Sequence, residues 1–321
     1  MAIKILSLIT MLGPFLLLAV NANAQQKDLL PLRLSVFRID AAMVAARARG
    51  LFAAEGINAN ITQTPNSTAQ MRGISNGSFE VAATAFDNVL AWSGKEGAEI
   101  VAIAQVSDRT VLPVFVRQEI RDWGDLKGKK LAVDAVDTAF ALVLRRILLA
   151  HGLDLNRGDY ELIAVGATGQ RLESIARGET FAGILNAPFD VKAVEAGLRR
   201  IGDSREVLPD YPNTILAVNR AWAQSHRREL LAFLRGWMAG MRWAKNPANR
   251  EEAVKLVAAD LKLSPKAAAG SVEELSATGA LNLPGLESVL KLRTEFGFKL
   301  LKGSSLAFYY DLDYYRAASV K

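Results

Sequence analysis

The 321-residue sequence contains no cysteine and only two histidines, His151 and His226. Without thiols there is no disulfide framework, thiolate metal site, iron–sulfur cluster or cysteine nucleophile. Scarce histidine removes the commonest proton carrier and argues against an imidazole-based zinc or iron site, so no metal, no cofactor and no catalytic residue is expected. A clustered basic stripe is also missing. The 39 basic and 33 acidic residues are spread along the chain for a net charge of +6, which speaks against a nucleic-acid partner. What is abundant is apolar surface, at 50% of residues, with 22% charged. That composition supports a large folded core, and the length suggests about two domains of ~150 residues.

The first 24 residues read as a secretory signal peptide. Lys4 is their only charge, an apolar run follows, and Ala22-Asn23-Ala24 places small residues before Gln25. As a permanent anchor the run is shorter than the ~20 residues a span needs, and Gly13-Pro14 breaks it. With cleavage after Ala24, and no cysteine to carry a lipid, the expected product is an exported, periplasmic protein without stable membrane insertion.

Beyond the leader, strand-like and helix-like stretches alternate. Residues 32–37 alternate as a strand and 41–54 read as an Ala-rich helix ended by Gly56. A strand at 58–64, a helix from about 67 to Gly77 and a strand at 79–85 complete βαβαβ, which implies parallel pairing with right-handed crossovers. The same order recurs at 130–134, 138–151, 160–165, 168–177 and 180–185. Gln70 is echoed by Gln170, Asn76-Gly77 by Arg177-Gly178, and Phe86-Asp87 by Phe189-Asp190. Extended runs at 110–117 and 213–219 flank the second unit, and beyond them the chain is mostly helical, with 220–245 carrying apolar residues at helical spacing. Pro247 and Pro265 mark further helix starts. Two tandem lobes joined by two crossings leave a cleft at the carboxyl ends of the strands.

Three stretches carry a family resemblance: Gly50-Leu51-Phe52-Ala53-Ala54-Glu55-Gly56-Ile57, Asn76-Gly77-Ser78-Phe79-Glu80-Val81-Ala82, and Asp125-Leu126-Lys127-Gly128-Lys129-Lys130-Leu131-Ala132-Val133. With them the chain resembles the type II periplasmic substrate-binding proteins of ABC importers. The branch is that of the nitrate, sulfonate, taurine and thiamine-pyrimidine-precursor binders. Glu80 departs from the family pattern, which has Asp there. The resemblance implies an α/β fold of two lobes, each a mixed, mostly parallel sheet flanked by helices, with the ligand cleft between them. On this reading lobe 1 is discontinuous, 25–115 plus 214–321, and lobe 2 is 116–213. Closure is expected to rotate the lobes about 111–116 and 213–218.

Family contacts follow the strand ends, so the resemblance points to Phe37, Arg38 and Asp40; Asn66, Ser67 and Thr68; and Phe86, Asp87 and Asn88 in lobe 1. In lobe 2 it points to Asp137, Thr138, Thr168, Asn186 and Phe189. Several have structural readings as well. Ser67, Thr68, Asp137 and Thr168 are good N-caps, Phe86 and Phe189 suit a core, and Arg38 can pair with Asp40 or with an anionic ligand. A charge with an amide beside it after a hydrophobic strand favours a ligand role for Asp87 and Asn88. His151 suits a helix C-terminus, His226 a helix surface, and the tyrosines at 309, 310, 314 and 315 the packing of the tail.

The function implied is capture of a small organic ligand by a monomer and delivery to an ABC permease. A neutral or weakly basic heterocycle is preferred over nitrate or a sulfonate. The rival is an enzyme on the same fold. Fungal pyrimidine synthases of this type use a cysteine-rich motif that is absent here, and menaquinone-pathway enzymes lack a leader.

Overall fold

The computed structural model describes residues 29–108, 111–137, 139–209, 211–212 and 214–320. The leader, 1–24, and Thr138 lie outside the described residues. The strands are β1 (Leu30–Val36), β2 (Ile57–Gln63), β3 (Val81–Ala85), β4 (Ile100–Gln105), β5 (Pro113–Val116), β6 (Lys129–Val133), β7 (Tyr160–Ala164), β8 (Ala182–Ile184), β9 (Arg199–Asp203) and β10 (Thr214–Asn219).

They form two five-stranded sheets of matching order, β2-β1-β3-β10-β4 and β7-β6-β8-β5-β9. In each, three parallel strands come from a βαβαβ unit, and the fourth is an antiparallel strand that arrives from the other lobe. The helices Ser67–Ser75 and Thr168–Ala176 make the corresponding crossovers. This is the tandem echo in three dimensions, and its mixed sheets follow from the two exchanged strands.

The fold corrects some expected boundaries. β5 pairs along its length with β8 and β9, so residues 113–115 belong to the second sheet, not to lobe 1. Of the expected hinge stretches, 113–116 and 214–218 are paired in the two sheets, and the chain passes between the sheets from β4 to β5 and from β9 to β10. The helix expected over 41–54 is two, Ala41–Ala48 and Leu51–Ala54, divided at Gly50 with φ 65°. That left-handed conformation suits glycine, which has no Cβ to clash. The 220–245 helix likewise divides at His226. Glu80 accepts a hydrogen bond from the Arg33 main-chain N–H at 2.6 Å and pairs with the Arg33 side chain, just before β3.

The long helix Arg227–Lys245 packs on Ala41–Ala48 against one face of the first sheet. A second apolar cluster is shared by both lobes: Phe86 and Leu90, Val114 and Leu131, Leu142 and Leu148 meet Leu286 and Leu290 of the helix Leu283–Glu295. Tyr309 and Tyr314 are buried and pack the tail, as expected. His151 caps the helix Phe140–Ala150 at its C-terminus and stacks on Trp123 at 4.2 Å. Among the described residues no helix is long and apolar enough to cross a membrane, and no group of three or more histidine or carboxylate side chains could hold a metal ion.

Candidate functional site

A cleft lined by residues of both lobes opens between the sheets. Its floor comes from the ends of parallel strands, where loops and helix starts converge. Lobe 1 contributes Phe37, Arg38 and Asp40 after β1, Ala85 at the end of β3 and Asn88 just beyond it. Lobe 2 contributes Asp134 after β6, Ala139 and Phe140 at the next helix, Thr168 and Arg171, and Asn186 after β8. Ser271 and Glu274 close one side from the C-terminal region.

Of the residues expected from sequence, Phe37, Arg38, Asp40, Asn88, Thr168 and Asn186 therefore meet in one space. Asn66, Ser67, Thr68, Phe86, Asp87, Asp137 and Phe189 do not line it. Asn66 caps its helix, accepting from the Ala69 N–H at 2.8 Å, and Thr68 is exposed on the first turn. Ser67 reaches the other lobe, its N–H donating to Asp134 Oδ2 at 3.4 Å. Phe86 lies in the shared core. Phe189 opens a helix, with the Lys192 ammonium 5.4 Å from its ring centre.

Asp87 is the main correction. Its side chain is 1% exposed and ion-paired to Arg293 at 3.0 Å, while Oδ2 accepts from the Ala139 N–H at 2.6 Å. Burial pushes its carboxyl up, and the Arg293 guanidinium opposes that shift. Both lone-pair faces are thus engaged within the protein, by a partner 206 residues away. The main-chain carbonyl of Asp137 accepts from the same guanidinium at 3.1 Å.

The cleft's cations are occupied too. Arg38 pairs with Glu274 at 2.6 Å and donates to Ser271 Oγ at 3.0 Å, so its partner is not Asp40. Arg171, absent from the sequence reading, donates to the carbonyls of Ile184 at 3.1 Å and Gly166 at 3.0 Å and to Thr168 Oγ1 at 2.8 Å. The Thr168 hydroxyl in turn donates to Asn186 Oδ1 at 3.0 Å. Gln70 plays the corresponding part in lobe 1, tying the carbonyls of Ser35 and Ala83 at 2.9 and 3.2 Å. The sequence echo held the signal for Arg171, one residue beyond the Gln70–Gln170 match. Gln170 itself caps the helix by accepting from the Ala167 N–H.

Two acceptor groups differ in their surroundings. Asn88 donates to Thr84 Oγ1 at 2.9 Å, and its Oδ1 has no partner among the described residues. Asp40 Oδ1 caps the helix Ala41–Ala48 through the Met43 N–H at 2.8 Å, and its carboxyl faces the Trp237 indole. Burial pushes Asp40 up to about 6. A folded value above the unfolded ~3.9 means folding costs nothing below that value and loses stability as pH rises through 6, by at most ~3 kcal/mol. Asp40→Asn keeps the cap, since asparagine caps as well as aspartate. Its Tm is expected to exceed the parent's at pH 7.5 and to match it at pH 4; calorimetry showing the same difference at both values would refute the assignment.

Matching sheets, two crossings and a polar cleft between lobes define the two-lobed fold of the periplasmic binding proteins. The chain belongs to the NMT1-like family, whose model matches residues 31–258. No curated protein matches its sequence. A solved protein from Bordetella bronchiseptica RB50 superposes with a TM-score of 0.75 at 21% identity, over 90% of this chain and 96% of that one. The periplasmic nitrate-binding protein NrtA from Synechocystis PCC 6803 gives 0.74 at 13% identity, over 91% and 89%. The alkanesulfonate-binding protein SsuA from Xanthomonas axonopodis pv. citri, bound to MOPS, gives 0.69 at 15%, over 83% and 92%. Identities this low speak to the fold.

Proposed function

We propose that the protein is an exported, monomeric solute-binding component. It captures a small neutral or weakly basic organic molecule between its lobes and hands it unchanged to an ABC importer permease. The observation that carries the ligand class is the charge pattern of the cleft. Arg38 and Arg171 are both engaged by protein acceptors, while Asp40, Asp134 and Glu274 line the same space. A permanent anion would have to displace Glu274 from Arg38 and lie among the remaining carboxylates. A ligand with N–H donors meets acceptors instead, including Asn88 Oδ1. Phe37 and Phe140 supply apolar faces. The ligand contacts on this reading are Phe37, Arg38, Asp40, Asn88, Asp134, Phe140, Thr168, Arg171 and Asn186. Specificity follows from closure, because a wrong ligand leaves buried polar groups unpaired.

Native mass spectrometry of the purified protein, followed by a thermal-shift panel, tests this. Amino-heterocycles or other uncharged nitrogen compounds should raise Tm, and the bound molecule should be recovered chemically unaltered. Stabilisation by nitrate or sulfonates alone would overturn the ligand class, and recovery of a transformed product would favour the enzyme. Asn88→Leu removes a buried hydrogen-bonding edge and should weaken binding of the ligand found by about tenfold or more, read by calorimetry.

A further inference from the structure

Asp87 and Arg293 form a charge pair that neutralises itself within lobe 1 yet presents one acceptor and one donor to lobe 2. Arg293 lies on the helix Leu283–Glu295, which packs against both Phe86–Trp92 of lobe 1 and Phe140–Ala150 of lobe 2. Its Nη1 donates to both Asp87 oxygens, at 3.0 and 3.3 Å, and to the Asp137 carbonyl at 3.1 Å. Asp87 Oδ2 accepts from the Ala139 N–H at 2.6 Å. Asp137 and Ala139 thus offer a carbonyl and an amide that match a donor and an acceptor already fixed by their own ion pair. Charge-assisted hydrogen bonds of this kind are short and directional.

The docked residues adjoin cleft wall. Ala139 and Phe140 line the ligand space, and Ala139 has φ 46°, ψ −117°, a backbone region that disfavours a residue with a Cβ and persists where surroundings enforce it. Around this point other ties link the C-terminal helix to lobe 2: Arg145 covers the Phe296 ring at 4.2 Å, and Arg146 faces Glu295 at 3.8 Å. Elsewhere along the cleft the lobes also meet, through the Ala167 N–H to Pro65 carbonyl bond of 3.1 Å and the Ser67 N–H to Asp134 Oδ2 bond of 3.4 Å.

We propose that Asp87 and Arg293 are positioning residues: a prebuilt socket that docks the Asp137 carbonyl and the Ala139 amide, holds the lobes in the arrangement of this structure without contribution from ligand, and thereby sets the Ala139–Phe140 wall of the cleft. Because the two charges cancel inside lobe 1, the socket can release the two backbone groups without stranding an ion, and water can take them over. Its importance for ligand affinity rests on the capture reading above, but the lobe arrangement can be measured with no ligand at all.

The absence of cysteine makes that measurement clean. Asn60→Cys on β2 and Glu161→Cys on β7, exposed positions at the outer edges of the two sheets, accept spin labels on the otherwise thiol-free chain. Pulsed electron resonance on the unliganded protein should give one narrow interlobe distance. In Asp87→Leu/Arg293→Met, which removes the socket without orphaning a charge, a second and longer population should appear while circular dichroism stays unchanged. A folded double variant with the parental distribution, or a parent already distributed over long distances, would overturn the proposal. If the double variant fails to fold, hydrogen exchange of the parent still decides. The Ala139 amide should exchange as slowly as β6 amides, and rapid exchange there would refute the socket.

Discussion

Replacing Arg293 with alanine is expected to destabilise the protein by about 3–5 kcal/mol at pH 7.5, the cost of leaving a buried carboxylate without its counter-ion. Asp87 and Arg293 are 1% and 5% exposed, so neither can be rescued by solvent in the folded state. Burial already pushes the Asp87 carboxyl above the ordinary carboxylate range, and Arg293 is the first of the opposing influences. Removing it raises the folded value further. A group whose folded value lies above its unfolded one costs stability as pH rises, so the variant should recover part of its loss between pH 7.5 and pH 5. Urea denaturation at the two pH values checks this. A loss below ~1 kcal/mol, or one equal at both pH values, would show that Asp87 is hydrated or repartnered. Tyr211, fully buried nearby, offers no relief: burial holds its hydroxyl far above the usual range, with the Asp87 charge adding to the shift.

Gly240→Val should cost about 3 kcal/mol and weaken ligand binding although residue 240 lies outside the cleft. Gly240 sits where the helix Arg227–Lys245 crosses Ala41–Ala48, and a Cβ there would fall 2.3 Å from the Ala42 carbonyl oxygen and 2.8 Å from the Ala46 Cβ. Backbone cannot swing aside like a side chain, so the helices must separate, and overpacking of this kind costs 1–3 kcal/mol or somewhat more. The displaced helix begins at Ala41, directly after Arg38 and Asp40, so separation is transmitted to the cleft. Gly270→Ala is the contrast. It also lies in a helix, its Cβ meets nothing within 4 Å, and it should gain about 0.5–1 kcal/mol from helix propensity. Parallel Tm and binding measurements on the two variants separate packing from propensity. A Gly240→Val protein as stable as the parent would mean the interface is looser than described.

The two βαβαβ units were legible because their strands and helices carry different apolar periods and glycines end the helices. β4 was not read from the sequence: every position of Ile100–Gln105 is buried, so no alternation marks it as a strand. β9, with Arg199, Arg200 and Asp203 in five residues, reads locally as polar loop and becomes a strand by pairing with β5. At the site, strand ends brought Phe37, Arg38, Asn88 and Asn186 into view. Position along the chain could not say whether Asp87 faced a ligand or a protein cation, because Arg293 is supplied by a helix that docks from the far end of the sequence. Glu274 reaches Arg38 in the same way, across 236 residues.

The sequence by itself determined the absence of thiol chemistry, the tandem α/β lobes and the strand ends where a ligand space forms. These depend on composition and on local periodicity, which a linear reading contains. Tertiary structure alone decided which charges in and around that space are already satisfied. Electrostatic pairing depends on distance and burial, and both are set by how the C-terminal helices pack back onto the two lobes.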